Sequence, residues 1–186
     1  MTKVILLGDS IRQIGYGTKV PELLGDGYEV WQPNDNCRFA QYTLRGMFDW
    51  QKELEGCDIV HWNNGLWDIC ELFGDGAFTP IESYIDTMLR IARILKSKAK
   101  KVIFATTTPV GRANVYDSNE LIIRYNETIV PKLEAVGVLI DDLHSVVYPK
   151  IDEYIRKDDQ IHLTEAGIDA CAAAVVSSIK QAEASL

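Results

Sequence analysis

Short runs rich in Val, Ile, Leu and Trp alternate with segments of helical period along the whole chain, and no other feature constrains the fold as strongly. Parallel strands need a crossover of about a dozen residues or more between them, usually a helix. The alternation therefore predicts a parallel sheet with helices on both faces. The strands are expected at Lys3 to Leu7, Tyr28 to Trp31, Asp58 to Trp62, Lys101 to Ala105 and Val136 to Ile140. The last segment gives the clearest helix, with Ile168, Cys171, Ala172, Val175, Val176 and Ile179 forming an apolar stripe that has to lie on the sheet. A second helix is expected from Pro80 to Lys98, with Ile81, Tyr84, Ile85, Met88, Ala92 and Leu95 on one face. Its lysines and arginines gather toward the C-terminal end, where the helix dipole favours cations. A third starts near Asn119, and Pro131 should kink or restart it because proline has no backbone donor. Shorter helices are expected over Val20 to Leu24 and Tyr42 to Leu54. With no repeat, low-complexity tract or linker, residues 1–186 read as one three-layer α/β domain.

A chain of 186 residues buries roughly 70% of its unfolded surface on folding, so one large core forms without a metal or a disulfide. Nineteen basic residues against 27 acidic ones leave a net charge of −8, which repels phosphate backbones and anionic lipid. Nucleic-acid and membrane-surface partners are thereby disfavoured, and a small-molecule substrate fits better. No apolar run approaches a membrane span or a signal-peptide core, and a cytoplasmic protein is expected. Cys37, Cys57, Cys70 and Cys171 are scattered, with no CxxC and no paired histidines, so neither a zinc site nor a redox motif is spelled. No metal and no cofactor are expected. Oligomeric state is not readable.

In open parallel sheets ligands bind at the carboxyl ends of the strands, so chemistry is sought just after each strand. Gly8-Asp9-Ser10 follows the first strand and offers a sharp turn with an exposed hydroxyl, or simply a capped strand-to-helix turn. Asp159-Gln160-Ile161-His162 precedes the last helix, and the three-residue spacing lets the carboxylate fold back onto the imidazole. One ring nitrogen is then fixed and the other points outward toward a nucleophile. After the central strand, Asn63-Asn64-Gly65-Leu66-Trp67-Asp68 places an amide where it can stabilise an oxyanion or satisfy its own turn.

Together these three segments resemble the GDSL, or SGNH, family of serine hydrolases over the whole chain. Gly8-Asp9-Ser10 matches the nucleophile block, and Asp159 to His162 matches the final block with its acid and base. The resemblance implies a flavodoxin-like five-stranded parallel sheet of order 2-1-3-4-5 and an ester-cleaving triad of Ser10, His162 and Asp159. It also implies an oxyanion hole made by the Ser10 N–H, the Asn63 amide and a backbone N–H of the second block, with Asn64 one residue out of register as the alternative to Asn63. The family usually has a glycine in that second block. Here Asn36-Cys37-Arg38-Phe39-Ala40 has none, and Arg38 falls nearest the place. The implied activity is hydrolysis of a small carboxylic ester, a carbohydrate O-acetyl ester first, with lysophospholipids or thioesters as family alternatives. A non-catalytic module binding a small ligand at the same edge is the rival from another class.

Other candidates are weaker. His61 lies within a strand and reads as a core histidine, and His144 has no evident partner. Trp31, Trp62 and Trp67 lie at or beyond strand ends, where an aromatic face holds a sugar or an acyl chain. Trp67 is the substrate-binding candidate among them, and Trp62 reads as core.

Overall fold

The computed structural model describes residues 1–186. The chain runs β1 (Thr2–Leu7), α1 (Ser10–Gln13), α2 (Val20–Leu24), β2 (Tyr28–Trp31), α3 (Ala40–Asp49), α4 (Gln51–Leu54), β3 (Cys57–Trp62) and α5 (Leu66–Ile69). It continues through α6 (Ile81–Lys98), β4 (Ala99–Ala105), α7 (Asn119–Ala135), β5 (Leu139–Asp141), α8 (Leu143–Val147), α9 (Ile151–Tyr154) and α10 (Glu165–Glu183). All five strands are parallel, in the order β2-β1-β3-β4-β5 that the family resemblance implies. Central strands covered on both faces must be apolar throughout, and Val4 to Leu7 and Ile59 to Trp62 are correspondingly buried, His61 included. Helix α10 packs on β3, β4 and β5 on one face, with α2, α8 and α9 beside it, while α3, α6 and α7 make the other layer.

The register of the three central strands places the functional edge. Leu7 pairs with Trp62 and Trp62 with Phe104, so β1, β3 and β4 reach the same edge in step. The segments that follow, Gly8-Asp9-Ser10, Asn63-Asn64-Gly65 and Thr106-Thr107-Thr108, therefore emerge side by side. Two glycines permit the packing there. A Cβ at Gly8 would lie 1.9 Å from Asn63 Oδ1, and one at Gly65 would lie 1.8 Å from Thr107 Oγ1.

Three local expectations are corrected. Helix α7 continues through Pro131 rather than restarting there, and Pro131 and Glu127 lie on the exposed side, where water can satisfy the carbonyl that loses its donor. Strand β5 starts at Leu139 rather than Val136. Val136, Gly137 and Val138 bond back to Leu133 and Glu134 to close α7, with Gly137 at φ 78. The helix expected over Tyr42 to Leu54 begins at Ala40 and is broken at Trp50, whose ring packs over Gly46.

Candidate active site

Asp9 makes the turn that presents Ser10. Its Oδ1 accepts from Ile11 N at 2.9 Å and its carbonyl accepts from Arg12 and Gln13, which caps α1 directly on the end of β1. Asp9 is buried and its Oδ2 has no hydrogen-bond partner. Burial raises its pKa, against the pull of the Asn63 amide and the Ile11 N–H.

Ser10 and the distant Asp159–His162 segment meet at this edge. Ser10 Oγ lies 2.8 Å from His162 Nε2, and His162 Nδ1 lies 2.9 Å from Asp159 Oδ2. The second oxygen of Asp159 accepts from the Ile161 and His162 backbone N–H groups, each at 2.9 Å. Burial alone would raise the Asp159 pKa, but these N–H donors and the His162 ring together bring it down to about 2. An ionised carboxylate only accepts, so Nδ1 carries the ring proton and Nε2 is left to accept from the Ser10 hydroxyl. The loop is a tight excursion closed by Arg156 N to His162 O and Thr164 N to Tyr154 O, both 2.8 Å, with Gln160 at φ 63 at its tip. Thr164 then caps α10 through Gly167 N.

The two asparagines face opposite ways, as alternation along an extended segment requires. Asn64 is wholly engaged in structure. Its Oδ1 accepts from the Trp62 indole at 2.9 Å, and its Nδ2 donates to the Arg38 carbonyl at 2.8 Å. Asn63 is 5% exposed, its Oδ1 accepts from the Tyr16 hydroxyl at 2.9 Å, and its Nδ2 lies near enough to the buried Asp9 carboxylate to lower that group's pKa without making a full hydrogen bond to it.

Arg38 occupies the left-handed region, at φ 48, a conformation that favours glycine and costs an arginine roughly 1–2 kcal/mol. Arg38, the residue nearest the family glycine's place, does not offer its own N–H as the second-block donor, because that group donates to Asn36 Oδ1 at 2.8 Å in a local Asx turn. The next donor but one, Ala40 N–H, is held by Asp68 at 3.0 Å. Between them the Phe39 N–H has no partner, and the Ser10 N–H has none either. Asp68 is fully buried beneath this turn, and burial moves its pKa up to about 7 even though Thr79 and the Ala40 N–H pull it down.

Beside Ser10 and His162 opens a cavity of about 450 Å³, walled by Leu66, Trp67, Leu72, Tyr116 and Ile161, with Gln13, Asn36 and Asp117 as polar groups. Trp67 thus lies where expected. Trp62 is core, and Trp31 lines no part of this cavity. His61 is buried with Nε2 2.9 Å from Asp141 Oδ2, and His144 stacks on Tyr148 away from Ser10. The four cysteines are unpaired, and no group of three or more His, Cys, Asp or Glu is arranged to hold a metal ion. No helix is long and apolar enough to cross a membrane.

Two residues at the site carry no sequence signal. Arg12 is buried, and its guanidinium donates to the carbonyls of Gly8, Pro33 and Asp35, tying the Gly8-Asp9-Ser10 turn to the loop after β2. Tyr16 reaches Asn63 from a short 3₁₀ turn. A charged residue two positions after Ser10 and a tyrosine six after it look like ordinary surface and core.

Among solved structures, the fold matches the acetyl xylan esterase AlAXEase with a TM-score of 0.78 and 23% identity, covering 95% of this chain and 99% of that one. Axe2, an acetylxylan esterase from Geobacillus stearothermophilus, matches with a TM-score of 0.77 and 17% identity over 96% and 94% of the two chains. A lipase/acylhydrolase from Enterococcus faecalis matches at 0.77 and 21% over 97% and 96%. The architecture is the three-layer α/β fold of the SGNH hydrolases. No protein-family profile matches the sequence. The GDSL esterase/lipase WDL1 of Oryza sativa subsp. japonica is 30% identical over 206 residues, an alignment that takes in 96% of this chain and 78% of the rice protein. The chain belongs to the GDSL esterase/lipase family, whose members are carboxylic ester hydrolases.

Proposed function

We propose that the protein hydrolyses a small carboxylic ester, a carbohydrate O-acetyl ester by preference, through an acyl-enzyme on Ser10. The observation that carries this reading is the continuous chain from Ser10 Oγ to His162 at 2.8 Å and from His162 to Asp159 at 2.9 Å. Ser10 Oγ attacks the carbonyl carbon while His162 Nε2 takes its proton, and Asp159 stabilises the imidazolium that forms. Negative charge develops on the carbonyl oxygen, where the Ser10 N–H, the Asn63 Nδ2 and a backbone N–H of Arg38–Ala40 serve as donors, Phe39 supplying the free one. His162 then protonates the departing alcohol, and a water activated by the same nitrogen cleaves the acyl-enzyme and restores Ser10. The ligand is a small molecule and the chemistry needs no cofactor.

Two observations support the carbohydrate ester. Structural neighbours include acetyl xylan esterases. The cavity also joins the aromatic surfaces of Trp67 and Tyr116 to Gln13, Asn36 and Asp117, a combination suited to a sugar's apolar face and hydroxyl edge. Leu66, Leu72 and Ile161 favour the second reading, a longer acyl chain as in a lysophospholipase or thioesterase. Hydrolysis of 4-nitrophenyl acetate, butyrate and octanoate, together with acetate release from acetylated xylo-oligosaccharides, separates the two. The acetyl-carbohydrate reading expects kcat/KM to fall with chain length and acetate to be released. A rise toward octanoate supports the longer-chain reading, and no turnover of any ester leaves a binding module.

A further inference from the structure

An amide has two ends of nearly equal size, and the two are opposite in function. At an oxyanion hole the NH₂ end stabilises the developing charge, whereas the oxygen end would repel it. Something must therefore choose which end of Asn63 faces the reacting carbonyl. The backbone of Asn63 does not choose. Its N–H is spent on Leu7 O at 3.1 Å, which fixes where the residue sits but not how its amide is turned.

We propose that Tyr16 is a positioning residue for the oxyanion amide: its buried hydroxyl donates to Asn63 Oδ1 and so leaves Nδ2 as the end presented to the substrate. This inference rests on the reading of Asn63 as an oxyanion donor. The Tyr16 hydroxyl lies 2.9 Å from Asn63 Oδ1, and Tyr16 has no exposure to solvent. Gly8 allows this amide its position, since a Cβ there would meet Oδ1 at 1.9 Å. Burial moves the Tyr16 pKa far above that of a free phenol, so the hydroxyl keeps its proton and remains a donor.

The tyrosine is itself held. Its ring stands edge-on to His61, with centroids 5.5 Å apart and planes at 81°, and His61 Nε2 contacts Asp141 Oδ2 at 2.9 Å. The buried His61–Asp141 pair, which touches no nucleophile, thus backs the tyrosine that sets the amide.

The test is a double-mutant cycle on 4-nitrophenyl acetate hydrolysis with Tyr16→Phe, Asn63→Ala and the double variant, each checked for folding by near-UV circular dichroism. Asn63→Ala is expected to lower kcat by about 10²–10³. Tyr16→Phe is expected to lower kcat about tenfold with KM nearly unchanged, as for a misaligned but intact donor. In the Asn63→Ala background the same Tyr16→Phe change should cost no more than about twofold, because the group it orients is gone. Losses that multiply across the cycle, or a Tyr16→Phe variant with wild-type kcat, would overturn the positioning role. A wild-type kcat in Asn63→Ala would instead show that the oxyanion assignment itself is wrong. If Tyr16→Phe folds poorly, Tyr16→Met fills the same space without a hydroxyl and enters the cycle in its place.

Discussion

Two Asp–His pairs occupy this molecule at the same contact distance, one through Nδ1 and the other through Nε2. Asp159 Oδ2 lies 2.9 Å from His162 Nδ1, and Asp141 Oδ2 lies 2.9 Å from His61 Nε2. What differs is the other ring nitrogen and access to solvent. His162 is 26% exposed and its free nitrogen meets Ser10 Oγ, whereas His61 is fully buried and its Nδ1 has no partner. An Asp–His contact is thus not a general base by virtue of its length. It becomes one where the second nitrogen is offered a hydroxyl and the site opens onto a cavity.

Removing the two histidines separates the pairs most sharply. His162→Ala should lower kcat/KM on a nitrophenyl ester by about 10⁴ or more while leaving the urea midpoint nearly unchanged. His61→Ala should do the reverse, costing at least about 1–3 kcal/mol of stability as Asp141 loses its buried partner, with activity of the folded fraction within about tenfold. Equal catalytic losses in two well-folded variants would erase the distinction.

The neighbouring asparagines give the next largest contrast. Asn63→Ala should lose about 10²–10³ in kcat at nearly constant KM. Asn64→Ala should lose about tenfold or less but cost about 1–3 kcal/mol, because the Trp62 indole and the Arg38 carbonyl are left without partners. Steady-state kinetics beside urea unfolding reads both, and the opposite ranking would move the oxyanion donor one residue along the chain.

A smaller effect distinguishes the carboxylates by pH. Asp159 is held at about 2, so its ionised form stabilises the fold above the ordinary carboxylate range, and that contribution is lost as pH falls from about 4 toward 2. Asp68 sits at about 7, so its contribution is present while it is neutral and is lost as pH rises through about 7. Asp68→Asn should flatten the decline of the thermal midpoint between about pH 4 and 7, read by calorimetry, and leave the acid limb in place. An unchanged slope would mean that Asp68 titrates as an ordinary carboxyl.

The sheet was legible because its strands are apolar runs between helical stripes, and the strand order follows from the family resemblance. Ser10, Asp159 and His162 were legible because each block is local, three or four residues that turn sharply at a strand or helix end. The parts that escaped are those set by distant contacts. Nothing near Tyr16 in sequence marks Asn63 as its partner, and Arg12 acts through carbonyls more than 20 residues away, at Pro33 and Asp35. Arg38 stands where the family pattern leads one to look for glycine, and it adopts the left-handed conformation that glycine favours. The pattern of residue types cannot report that, because the clamp on the turn comes from Asn64 and Asp68 across the edge of the sheet. Pro131 leaves the helix unbroken for a related reason, since what a helical proline costs depends on whether it faces solvent or core.

The central claim is that Ser10 is the nucleophile because it alone is offered to the outward nitrogen of His162. Intact-mass analysis after exposure to a fluorophosphonate probe measures this without assuming a substrate. One adduct per chain is expected, mapped to Ser10 by peptide mass analysis, and it should be absent in Ser10→Ala and strongly slowed in His162→Ala, in which the serine loses its base. A folded wild-type protein that stays unlabelled over hours, or an adduct that persists in Ser10→Ala, would contradict it.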